Sequence, residues 1–381
     1  MRKSSKNHRK FSNGFTLIEL MIGLTIALVF LLIVGVIFTN ANQQKSTTSS
    51  GADAQTSGAL GSHMVERDLR MAGYGINISD LLACEIYAYD ETISPARNFT
   101  MMAVPVIITK GNTTQTSTNP YGTPDTIAIS YATSDTGFSL AQLTSANNGG
   151  NANYKVSNRF GFHEGDIIVV VEPVDRYTPD ATTGAPTLGA NGINDCVLSQ
   201  VTGVPGGGNS DNIIHNSGNY TDASGKNVPA QYNKPSGLGI SFTTNAKIFN
   251  FGSGPVNVTY GINTKSELTR QESFSNTAAQ AVADNIIMLR AYYGRDTNGD
   301  GTVDSWNQTT PTTSADWKTV LAVQFAVVAR SQKKEATAVT SSPITLWSGG
   351  PTLTLSADQQ KYRYKVFSSL VALRNMIWSG S

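Results

Sequence analysis

The stretch NGFTLIELMIG, Asn13 to Gly23, opens a membrane-length apolar run and sets a carboxylate, Glu19, inside it. From Leu20 to Phe38 there is no charge. As a helix these residues span roughly 28 Å, close to the hydrocarbon thickness of a bilayer. The segment before the run carries Arg2, Lys3, Lys6, Arg9 and Lys10 and no acid, so it is expected to stay cytoplasmic while the rest crosses outward. A lone acid costs about 2.5–3.5 kcal/mol at the centre of a membrane helix and less toward its end. Glu19 therefore calls for a partner.

A generic secretory signal ends its apolar stretch at small residues before the cleavage site. Here the small residue, Gly14, precedes the run. Cleavage after Gly14 would remove the basic leader, keep the helix, and expose a cationic α-amine on Phe15. Glu19 lies four residues on, along the same helical face. The pair could close within one chain or between neighbouring helices, and in apolar surroundings either contact would orient the helix strongly.

Together the basic leader, Gly14, Phe15 and Glu19 resemble the class III signal of type IV pilins and type II secretion pseudopilins. The resemblance implies that a prepilin peptidase cuts between Gly14 and Phe15 and methylates the new amine. A second stretch, VERDLRMAGYG at Val65 to Gly75, is similar to the end of the first helix of PilW-type minor pilins. The proline common in the membrane helix of major pilins has no counterpart here, where the first proline is Pro95.

The implied organisation is a leader at residues 1–14, a hydrophobic helix at 15–40, an amphipathic continuation at 41–75 and a β-rich body at 76–381. Ala52, Leu60, Met64, Val65, Leu69 and Ala72 can share one helical face, and Glu66 and Arg70 form a favourable i,i+4 pair. Gly73 suits the helix end. Gly51, Gly58 and Gly61 lower helix propensity, so a local break is expected among them. Beyond Asp80, strands are expected at 101–109, 125–133, 166–173, 196–204, 238–244, 256–262, 285–294, 320–331 and 362–375. The segment 320–330 also reads as a helix. The fold class is α+β: a long N-terminal helix packed on an antiparallel sheet with long loops, a pilin-like roll.

With 381 residues and a net charge of +1, the chain lacks the bulk charge expected of a nucleic-acid binder. Its two cysteines, Cys84 and Cys196, follow no metal-binding spacing. In an oxidising compartment they could form a disulfide worth about 2–4 kcal/mol; the alternative is two separate buried thiols. The best ligand motif is DTNGDGTVD, Asp296 to Asp304. Asp296, Asn298, Asp300, the Thr302 carbonyl and Asp304 follow the ligand spacing of a calcium loop, with Gly301 at its turn. Asn307 stands where such a loop carries its bidentate glutamate. The alternative is an Asx-rich surface turn that needs no ion. PilW-type sequences often carry a similar loop after a Tyr-Gly pair, here Tyr293–Gly294.

The four histidines are scattered, and no nucleophile, zinc or phosphate-loop motif occurs, so an enzyme is not expected. The resemblance implies a minor type IV pilin, held in the inner membrane with its body in the periplasm and then incorporated into the surface pilus. It would prime assembly at the filament tip. The implied partners are other minor pilins, the major pilin, the prepilin peptidase, the inner-membrane assembly platform and a large tip adhesin. The alternatives are a type II secretion pseudopilin tip subunit, or an adhesin or DNA-uptake pilus subunit.

Overall fold

The computed structural model describes residues 16–92, 97–116, 119–134, 140–172, 195–206, 211–274 and 278–377. One uninterrupted helix, Leu17–Met71, occupies 55 residues and is about 82 Å long at 1.5 Å per residue. It ends as the sequence suggests: Gly73 has φ +79° and its N–H donates to the Ser130 carbonyl at 3.0 Å. A left-handed glycine just past the last turn is the usual way to stop a helix.

The expected break at Gly51, Gly58 and Gly61 is absent. Gly58 and Gly61 face the body, and their missing side chains are what let the helix approach it. A Cβ on Gly58 would stand 2.2 Å from Cε2 of Phe367 and 2.9 Å from Cβ of Ala329; one on Gly61 would stand 2.9 Å from Cδ2 of Leu268. Tertiary packing thus overrides a propensity cost of about 1 kcal/mol per glycine. The buried positions are Ser50, Ala54, Gly58, Gly61, Val65, Asp68, Leu69 and Ala72, at helical spacing of three and four. Ala52 and Leu60, expected on this face, point outward instead. Placing small residues rather than large ones at the contact is what shifts the face.

Against this half of the helix lies a four-stranded antiparallel sheet, in the order Ser305–Asn307, Ile286–Arg295, Val320–Arg330, Tyr364–Ala372. Val320–Arg330 is a strand, not a helix. Its near-continuous apolar character follows from burial on both faces. Val323, Phe325 and Val327 join Leu289, Ala291 and Tyr293 in the main core beneath the helix. Ala326 and Val328 join Met288 under a second layer made by Tyr121, Leu346, Leu353 and Leu355. The edge strand Tyr364–Ala372 alternates between exposed and partly buried positions, as expected for one wet face.

A five-stranded antiparallel sheet adjoins it, in the order Gln280–Ala283, Leu268–Glu272, Val256–Ile262, Thr126–Tyr131, Val106–Thr109. A six-stranded sheet completes the body, in the order Arg97–Met102, Glu85–Asp90, Asp195–Gln200, Ile167–Val171, Lys247–Gly252, Leu140–Gln142. This sheet departs from the all-antiparallel expectation, because Glu85–Asp90 and Asp195–Gln200 run parallel. Its inner face (Val169, Val171, Leu198, Phe249) belongs to the main core. Its outer face (Ile168, Val170, Val197, Ile248) forms a separate core with Tyr154, Ile213 and Phe242.

Two strand expectations fail for local reasons. The run 101–109 divides into Arg97–Met102 and Val106–Thr109, with Pro105 between them unable to donate to a ladder. The run 238–244 makes only the isolated Asn147–Phe242 bridge, and Gly239 turns the chain at φ +78°. The last strand also stops short of Asn375, which lies in the terminal helix Arg374–Ile377.

Candidate assembly interface

The functional residues are best followed along the helix. At its start Thr16 is the N-cap, and it forms a reciprocal capping box with Glu19. The Thr16 N–H and hydroxyl donate to Glu19 Oε2 at 3.0 and 2.8 Å, and the Glu19 N–H donates to Thr16 Oγ1 at 3.3 Å. The box satisfies two helix-terminal donors and holds the carboxylate at the positive end of the helix dipole. Gly14 and Phe15 lie outside the described residues, and the expected pairing of Glu19 with the Phe15 amine lies outside them too.

Leu17–Asn42 has a mean hydropathy of 3.0, is long and apolar enough to cross a membrane, and is buried by none of the described residues. Its side chains are apolar all round; Leu17 and Leu31, for example, are 77% and 72% exposed. A helix with no polar face requires an apolar environment on every side. Its few hydroxyls are satisfied internally, Thr25 donating to the Ile22 carbonyl and Thr39 to the Val36 carbonyl, both at 2.9 Å. That arrangement suits surroundings without water.

The other half is clamped. Asp68, only 1% exposed, sits on the helix face that meets the five-stranded sheet. Its Oδ1 accepts from Arg67 Nε and Nη2 at 3.1 and 3.0 Å, and its Oδ2 accepts from the Tyr260 hydroxyl at 2.7 Å and Arg270 Nε at 3.3 Å. Burial pushes the Tyr260 pKa up, keeping the hydroxyl a donor. The sequence reading does not single out this network. Its signal is an acid between Val65 and Leu69 at the spacing of the buried stripe. The expected Glu66–Arg70 ion pair is present on the same segment.

A second buried pair, Arg290 and Asp125, ties the four-stranded sheet to the loop before Thr126. Arg290 Nη1 donates to Asp125 Oδ1 at 2.6 Å, while Asp125 Oδ2 accepts from the Ala291 N–H and Gln308 Nε2 at 2.9 and 2.6 Å. Cys84 and Cys196 are disulfide-bonded across the parallel strand pair, with Cα atoms 6.1 Å apart, and both are buried. His215 is stacked on Tyr154 at 4.0 Å in the outer core. Burial lowers its pKa to about 4, which fits a neutral packing residue.

Asp296 to Asp304 forms the loop between Ile286–Arg295 and Ser305–Asn307, and its carboxylates are engaged by its own donors. Asp296 accepts from the Gly299 and Gly301 N–H groups at 2.6 and 2.8 Å. Asp304 Oδ2 accepts from the Thr297 N–H at 2.7 Å, and Asp300 Oδ1 from the Thr302 N–H at 2.8 Å. Asn298 Nδ2 donates to both Asp300 Oδ2 and Asp304 Oδ1, at 3.1 and 3.2 Å. Among the described residues no three His, Cys, Asp or Glu side chains converge as a metal site.

Two family models match the chain. The prokaryotic N-terminal methylation motif matches residues 9–35, which hold Gly14, Phe15, Glu19 and most of the bare helix. The type IV pilus-assembly protein W model matches residues 257–375, the four-stranded sheet together with the strands bearing Tyr260 and Arg270. This is a type IV pilin-like protein. No curated protein and no solved structure gave a match. The two matched segments of this pilin-like chain are the ones that make and receive its long helix. The outer core of the six-stranded sheet falls outside both. At this level the protein is a minor pilin related to type IV pili, and both matched families are structural rather than catalytic.

Proposed function

We propose that this minor pilin is stored in the inner membrane by Leu17–Asn42, with its body in the periplasm. It is then drawn into the assembling filament by exchanging lipid for neighbouring helices. The observation that carries this reading is one continuous helix with unequal halves, one locked to a sheet and one apolar on all sides with Glu19 at its start. A carboxylate at that point would pair with the processed Phe15 amine of its own or an adjacent subunit. The pair would set the register between helices, because either charge alone is costly in apolar surroundings.

The large body, residues 76–381, suits a low-copy subunit at the filament tip, where it primes assembly with other minor pilins. It would also meet the major pilin and a tip adhesin there. The test is deletion of the gene with counting of surface pili, followed by complementation. Pilus number should fall at least tenfold and return with the wild-type gene. Unchanged piliation with loss of protein secretion would assign the subunit to a type II secretion pseudopilus instead.

A second reading concerns the Asp296–Asp304 loop, for which we propose calcium. Its support is Asn298, whose amide draws the carboxylates of Asp300 and Asp304 onto one donor. A cation replacing that donor could meet Asp296, Asp300, Asp304, the Asn298 amide oxygen and the Thr302 carbonyl. Adding millimolar calcium to chelator-treated protein should raise Tm by a few degrees, in keeping with about 1–2 kcal/mol of linkage. Coincident melting curves would remove calcium from the site.

A further inference from the structure

The four-stranded sheet has a second face, turned away from the long helix, and its cover is incomplete. The hairpin Ile344–Thr345 and Thr352–Leu353 shields Met288, Ala326 and Val328. Beyond the tip of that hairpin a cleft of about 390 Å³ is left between Tyr292, Trp306, Gln324 and the turn Trp347–Pro351. Small-molecule sites commonly occupy about 300–1,000 Å³, so the space is adequate for one compact ligand.

Glycines set the indoles in place. Trp306 pairs across the ladder with Gly294, and a Cβ on Gly294 would stand 2.7 Å from its Cη2 and Cζ3. The Trp347 ring lies directly on Gly350, where a Cβ would stand 2.2 Å from Nε1 and 2.4 Å from Cδ1. Tyr292 meets Trp347 edge to face, with centroids 5.4 Å apart at 83°. The aromatic surfaces are thus fixed by backbone contacts rather than left to collapse together.

Among the described residues, the polar side chains of the cleft have no hydrogen-bond partner. The Trp306 and Trp347 indole N–H groups, the Gln324 amide and the Ser348 hydroxyl make no hydrogen bond to a described residue. No charged side chain lines the space, which argues against an anion, a cation held by a carboxylate, or a nucleic-acid strand needing a basic track. Half-exposed aromatic faces beside free neutral donors and acceptors match a ligand with one apolar face and a rim of hydroxyls.

We propose that this cleft is a carbohydrate-binding site, taking one neutral hexopyranose residue. The sugar's C–H face lies on an indole and its hydroxyls meet Gln324, Ser348 and the indole N–H groups. The reading is independent of where the subunit sits in a filament.

The test uses the full-length protein in polyoxyethylene micelles, which carry no sugar headgroup. Free glucose, galactose, mannose and N-acetylglucosamine are titrated in turn while the indole N–H resonances are followed by NMR. At least one sugar should shift the Trp306 and Trp347 signals saturably with Kd on the order of 1 mM, leaving the buried Trp317 unmoved. Trp347→Ala should weaken binding at least tenfold. Gly350→Ala, which keeps the indole but displaces it, should do likewise at unchanged Tm. Absence of shifts for all four sugars at about 100 mM, a hundred times the expected Kd, would overturn the proposal. So would saturation of the same indoles by oligothymidylate or a proline-rich peptide in place of a sugar. If a variant fails to fold, the wild-type titration still decides.

Discussion

Four glycines of one helix separate its two halves. Gly23 and Gly35 have open space where a Cβ would be, whereas Gly58 and Gly61 would drive one into Phe367, Ala329 and Leu268. The first pair belongs to a segment that no other described residue buries, and the second to a segment fitted to a sheet. The same residue type is thus neutral to folding in one half and required by packing in the other. The body completes its core with the helix's second half alone, so the first half is free for membrane or filament without loss of tertiary contact.

Asp68→Ala should break that comparison most severely. Removing the acid leaves the partly buried Arg270 with only the longer Glu272 contact, at 3.3 Å, and Tyr260 with only the Met64 carbonyl as acceptor, also at 3.3 Å. Loss of one member of a buried network typically costs about 3–5 kcal/mol, to be read by denaturant unfolding of the full chain. An effect below about 1 kcal/mol, the range of exposed ion pairs, would mean the helix is not clamped there. Replacing Cys84 and Cys196 by Ser should cost about 2–4 kcal/mol by freeing a long loop in the unfolded state. Since the disulfide lies in the six-stranded sheet, the membrane half should still insert normally.

Gly58→Val should cost about 1–3 kcal/mol through overpacking against Phe367. The matched control is Gly35→Ala, which should leave the melting of the body unchanged. Equal destabilisation by both substitutions would erase the distinction between the two halves.

Much of this architecture is legible in the amino-acid sequence. Glu19 and the apolar run form a local pattern that reappears as the start of the helix, and local patterns survive translation into structure well. The helix end at Gly73 is readable for the same reason, since a left-handed cap is a property of a few adjacent residues. The helix break is misleading in sequence because Gly58 and Gly61 answer to Phe367 and Leu268, which lie hundreds of residues away. Asp68 escapes notice because its partners Tyr260 and Arg270 are equally remote. Strand 320–330 is legible as a strand but also reads as a helix, because both its faces are buried, which erases the alternation that marks a strand. The Trp306–Trp347 cleft has no sequence signal, because its indoles are placed by Gly294 and Gly350 and by a hairpin.

The central claim is that the bare half of the helix is an assembly element registered by Glu19. Its most direct test is the distribution of Glu19→Ala subunits between the membrane and sheared filaments, in cells lacking the wild-type copy. The substitution should leave leader removal and membrane insertion intact while lowering the filament fraction at least tenfold. Normal incorporation of the processed mutant would contradict the claim.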